Sequence, residues 1–97
     1  MTSRFSVRTV NQFDRLLRRL SQRYSELAPL YARALEILRV DPLNLTRHHD
    51  VKKLASVAQR GGGQYRLALR RFRFRYDVEG REVVLYYGGL RREDTYD

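Results

Sequence analysis

From Gln64 to Tyr76 the chain reads Gln-Tyr-Arg-Leu-Ala-Leu-Arg-Arg-Phe-Arg-Phe-Arg-Tyr, an alternation of apolar and basic residues that segregates only in extended backbone. On a helix the arginines would scatter round the circumference. As two strands, the segment puts Tyr65, Leu67, Leu69, Phe72, Phe74 and Tyr76 on one face and Arg66, Arg70, Arg71, Arg73 and Arg75 on the other. The first face can build a core. The second is an array of guanidinium groups suited to an anion that is itself extended and repeating, as a nucleic-acid backbone is.

The length of 97 residues sets one domain, 1–97, and 42% hydrophobic content suffices for one core. The net charge of +9 and a pI near 10.6 point to an acidic partner. Eighteen of the twenty basic residues are Arg, with only Lys52 and Lys53 as Lys, which favours bidentate phosphate contacts and stacking on bases. There is no Cys, which excludes disulfides, thiol nucleophiles and Cys-ligated zinc. With no apolar run of membrane-spanning length and no apolar leader at the N-terminus, the chain is expected in the cytoplasm, away from any membrane.

Ahead of the hairpin, Arg4 to Val10 alternates and is expected as a first strand. Asn11 is a suitable N-cap for an amphipathic helix whose stripe is Phe13, Leu16, Leu17, Leu20, Tyr24 and Leu27, ending near Leu27. A second stripe, Leu30, Tyr31, Ala34, Leu35 and Leu38, follows Pro29 and stops before Asp41-Pro42. Residues 41–60 lack a strand pattern and read as a connection with a helical turn around Val51 to Val57, and the glycines at 61–63 as a hinge. Glu79-Gly80 suggests a tight turn before a last strand, Glu82 to Tyr87, closed by Gly88-Gly89. The expected fold is α+β: strand, helix, helix, then three strands, with a helical hairpin on one face of a mostly antiparallel four-stranded sheet.

The arginines differ by position. Arg15, Arg18, Arg19 and Arg23 read as the solvated side of a helix. On the sheet, Arg66, Arg73 and Arg75 repel one another unless Asp77, Glu79 and Glu82, or an external anion, offset them. Adjacent His48 and His49 make a poor metal pair, leaving a solvated loop or a base for proton transfer. Alternation would send Tyr86 and Tyr87 to opposite faces, one into the core and one free to stack a base.

The order of elements, together with Lys52-Lys53-Leu54, Gly63-Gln64-Tyr65-Arg66-Leu67, Phe72-Arg73-Phe74-Arg75-Tyr76 and Gly89-Leu90-Arg91-Arg92-Glu93-Asp94-Thr95-Tyr96, resembles the RelE/ParE superfamily of bacterial toxins. The resemblance spans nearly the whole chain and is closer to the RelE-like branch. It implies the toxin of a toxin-antitoxin pair, partnered by an antitoxin protein, entering the ribosomal A site and cutting mRNA with no cofactor; the ParE-like alternative is inhibition of DNA gyrase. By position, Arg66, Arg73, Arg91 and Tyr96 match the functional basic and tyrosine residues of RelE-like members. Lys52, Lys53, Arg70, Arg71, Arg75 and Arg92 are expected to contact the RNA backbone. Two positions depart from the pattern: Ala68 stands where such members have a catalytic lysine, and Leu90 where relatives have a histidine before the terminal Arg.

Overall fold

The computed structural model describes residues 4–54 and 64–91. Strand β1 (Ser6–Thr9) leads into helix α1 (Asn11–Arg23) and helix α2 (Leu27–Val40); strands β2 (Asp50–Lys53), β3 (Tyr65–Leu69), β4 (Phe72–Glu79) and β5 (Glu82–Leu90) follow. The sheet order is β1-β5-β4-β3-β2. Among the described residues, only the β1–β5 pair is parallel. The α+β class and the helical layer on one face are as expected, but the sheet has five strands and not four.

The additional strand is β2, where the sequence suggested a connection with a helical turn. Asp50, Lys52 and Lys53 give the segment no alternating signature. It is extended because the open edge of β3 supplies backbone partners, Val51 opposite Leu67 and Lys52 opposite Arg66. Charged residues are common on such an edge because they discourage pairing with further strands.

One core joins the layers. Phe13 of α1 and Leu27, Ala34, Ile37 and Leu38 of α2 pack with Leu67, Phe72, Phe74, Tyr76, Val83 and Leu85 of the sheet. Fully enclosing side chains of this size contributes about 1.5–3 kcal/mol each, so these residues dominate the stability of the domain. Aromatic contacts stitch the layers, with Tyr31 5.7 Å from Phe13 and 6.2 Å from Phe74 between ring centres.

Helix boundaries differ from the periodicity. Val10 is the N-cap and Asn11 the first helical residue, because the β1–β5 pairing, with Val10 N–H donating to Leu85 C=O, already fixes the entry. Helix α1 stops at Arg23, where Tyr24 turns extended (φ −125°, ψ 101°), and Leu27 begins α2. The spacing from Leu20 through Tyr24 to Leu27 remains helical across this break, so the stripe alone does not register it. Strand β5 runs through Gly88 and Gly89 to Leu90 instead of ending before them. The glycine hinge expected at 61–63 lies outside the described residues.

Candidate nucleic-acid interface

Registers of the antiparallel pairs assign each side chain to a face, since directly opposed residues share one. Two rows cross the sheet on the face away from the helices. One is Asp50, Ala68, Arg73 and Gly89; the other is Lys52, Arg66, Arg75 and Tyr87. Thus Arg66, Arg73 and Arg75, which the alternation singled out, are brought together on neighbouring strands with Lys52, which was expected to contact the RNA backbone. Arg73 is braced at the hairpin end, its Nη1 donating to the carbonyls of Arg70 (2.9 Å) and Phe72 (3.0 Å). Arg66 Nε is enclosed and is the buried side-chain nitrogen or oxygen without a hydrogen-bond partner among the described residues. An unsatisfied cationic donor costs free energy unless a ligand satisfies it.

Two of the acidic residues on this face have other engagements, while Asp50 stands in the same row as Arg73. Asp77 Oδ1 accepts from Gln64 N–H at 2.6 Å, and Glu82 lies 3.3 Å from Arg8 Nε on the β1 side. Glu79 is exposed at the far end of β4.

Other predicted site residues separate from this cluster. Arg71, expected on the arginine face, crosses at the tip to the helix side, where Nε and Nη2 each donate to Glu26 at 2.9 Å. Its guanidinium also lies 5.0 Å from the centre of the Tyr24 ring. A turn residue is not bound by strand alternation, and a two-pronged carboxylate contact directs it. The Arg71 hydrogen bonds hold the Glu26 carboxyl below its ordinary value. Lys53 also lies on the helix side, its ammonium 5.8 Å from the centre of the inward-facing Tyr65 ring. Arg70 is exposed at the turn, and Arg91 is exposed just beyond β5, its N–H donating to Arg71 C=O at 2.7 Å. Arg92 and Tyr96 lie outside the described residues.

The histidines do not reach this face. They belong to the loop after α2 and line a groove with Arg33, Glu36, Ile37, Val40, Asp41 and Thr46, with His49 Nε2 3.8 Å from Asp41 Oδ2. This loop is tied to the core by Tyr76, whose hydroxyl donates to Pro42 C=O at 2.7 Å. Burial, with Tyr65 and Asp41 close by, pushes the Tyr76 phenol well above its ordinary value, so it acts as a fixed donor.

The two adjacent tyrosines depart most from expectation. Between Arg75 and Tyr76 the β4–β5 register shifts: Arg75 faces Tyr87 while Tyr76 faces Leu85, leaving Tyr86 as an extra residue in a β-bulge. Neither tyrosine therefore enters the core. Tyr87 shares the arginine face, and the Tyr86 phenol is raised by burial and by Asp77 and Glu79, residues of that side of β4 and its end. Adjacent tyrosines followed by two glycines were the available sign, but strand pairing decides where a bulge falls.

This fold is shared with a known structure. The chain aligns with a chain of the archaeal RelE–RelB complex from Pyrococcus horikoshii OT3, covering 93% of this chain and 98% of that one at a TM-score of 0.62. The fold is RelE-like. Sequence identity over the alignment is 21%, so the likeness speaks to architecture. No protein-family model matches the chain, and no curated protein matches it significantly. Among the described residues, no helix is long and apolar enough to cross a membrane.

Proposed function

We propose that this protein is the toxin of a toxin-antitoxin pair and that it cuts mRNA on the ribosome. The observation that carries this reading is the cluster of Lys52, Arg66, Arg73 and Arg75 on the helix-free face of a RelE-like sheet, with the Arg66 Nε donor unsatisfied. The fold match is to a chain from a complex of RelE with RelB, which supports an antitoxin as partner here too. Such a partner should be acidic where it meets the arginines.

The reaction balances without a cofactor. A ribose 2′-oxygen attacks the adjacent phosphorus as its proton leaves, the bond from phosphorus to the 5′-oxygen breaks, and that oxygen gains a proton, giving a 2′,3′-cyclic phosphate and a 5′-hydroxyl. Arg66 and Arg73 clamp the phosphate and offset the charge that grows on it. Arg91 serves the leaving oxygen. Arginine stays protonated and is no base, so the proton of the 2′-hydroxyl is assigned to Tyr96. Lys52, Arg70, Arg75 and Arg92 hold the flanking backbone; Lys53 and Arg71 lie nearer the helix side and contribute less. A ribosome-directed toxin works in the cytoplasm.

Inducing the protein in cells and mapping transcript 5′ ends tests the proposal. Cuts should cluster at a fixed position within codons, and Arg73→Ala and Tyr96→Phe should each reduce cutting by about a hundredfold. Intact transcripts accompanied by gyrase-dependent DNA breaks would replace it with the ParE-like reading.

A further inference from the structure

Tyr87 owes its place on the arginine face to two separate features of β5. Uninterrupted alternation from the core residues Val83 and Leu85 would turn residue 87 inward; the bulge at Tyr86 reverses the phase and opposes Tyr87 to Arg75. The second feature is Gly89. A Cβ there would stand 2.5 Å from the Tyr87 hydroxyl oxygen and 2.9 Å from Cζ, so the phenol rests over a glycine backbone where a side chain would have held it off. Gly89 is itself the cross-strand partner of Arg73. The ring therefore spans from Arg75's row to Arg73's row, yet Tyr87 remains 39% exposed.

A large aromatic group held on a sheet surface, partly open to solvent and bordered by guanidinium groups, matches the chemistry of a single-stranded nucleic acid. A base stacks on the ring while its phosphates meet the cations. Arg66 lies in the same row, two strands from Tyr87. We propose that Tyr87 is the base-stacking platform for single-stranded RNA, seating one base of the strand whose phosphates Arg66, Arg73 and Arg75 hold. This assignment rests on the RNA reading above and adds to it a binding residue that the sequence pattern left undecided.

The test uses the purified protein and a fluorescently labelled single-stranded RNA of about eight nucleotides, within the usual site size of a small domain. Anisotropy should show Tyr87→Ala weakening binding about tenfold or more, with Tyr87→Phe within about twofold of the native protein, since the phenyl ring still stacks. Gly89→Ala should reproduce the loss with Tyr87 intact, because the new methyl displaces a side-chain end and leaves the backbone in place. On an RNA of the same length lacking its bases, the native protein and Tyr87→Ala should bind alike. Native-like affinity in Tyr87→Ala, or no affinity of the native protein for the RNA, overturns the proposal. Intact transcripts in induced cells, with these binding differences preserved, would remove the nuclease reading and leave the platform standing. Normal cutting with unchanged binding by Tyr87→Ala would do the reverse.

Discussion

Arg70 occupies in the β3–β4 turn the position that Gly80 occupies in the β4–β5 turn, and both have positive φ, 55° and 63°. A side chain in this region costs about 1–2 kcal/mol relative to the right-handed conformation. Glycine avoids that strain but loses about 0.5–1 kcal/mol to unfolded-state entropy. Strain outweighs the entropy loss. Arg70→Gly should therefore stabilise the domain by up to about 1 kcal/mol, raising the melting temperature by about 4 °C in a calorimetric scan. The bond from Arg73 survives, since it ends on the backbone carbonyl of residue 70. The sequence exposed this oddity as two arginines where glycine or asparagine is preferred. It did not show that Arg71 resolves the like-charge repulsion by crossing to Glu26, because that carboxylate is 45 residues away in sequence. For the same reason the arginine face was legible down to Arg66, Arg73 and Arg75, whereas the side taken by Tyr87 was not. Alternation is written into one segment; a bulge is settled between two.

Among the elements, those with strong internal periodicity were readable, namely β1, both helices, β3, β4 and β5. Strand β2 and the loop before it were not, because their conformation comes from partners elsewhere. The loop after α2 is organised by Asp41, which accepts from Leu45 N–H at 2.8 Å, Thr46 N–H at 3.2 Å and the Thr46 hydroxyl at 2.6 Å. Burial alone would raise the Asp41 carboxyl, yet these three donors and nearby His49 together bring it below its ordinary value of 3.8. The loop in turn presents Pro42 C=O to Tyr76. Asp41→Asn keeps the size but replaces one acceptor with a donor, so at pH 7 it should cost about 2 kcal/mol. With a lowered folded-state pKa, the unfolded chain takes up the proton first as pH falls. The ionised carboxyl's contribution is thus fully present above the ordinary value and disappears once the folded-state carboxyl is protonated. Melting curves should show the gap between native and Asp41→Asn proteins closing as pH falls below 3.8. A gap unchanged down to the lowest pH tolerated would mean that the carboxylate charge is not what holds the loop.

For the whole molecule, the issue is whether the +9 charge acts as a diffuse field or through one surface. Helix α1 displays Arg15, Arg18, Arg19 and Arg23 to solvent, and the helix-free sheet face displays Lys52, Arg66, Arg73 and Arg75. The two sets are equal in formal charge and lie on opposite sides of the sheet. Net charge alone makes them equivalent in attracting RNA. Contact with phosphates does not, since only neutralised phosphates release counterions, with a slope of log affinity on log salt of about −0.7 per contact for single strands. The four sheet-face cations should contribute about −3 to that slope, by about 4 × 0.7, beside what Arg70 and Arg92 add. Arg75→Gln should reduce its magnitude by about 0.7, and Arg18→Gln on the helix should leave it unchanged while lowering the net charge equally. Titrating the same single-stranded RNA at several salt concentrations separates the two. Equal changes in slope from both substitutions would assign RNA attraction to overall charge and remove the sheet face as its seat.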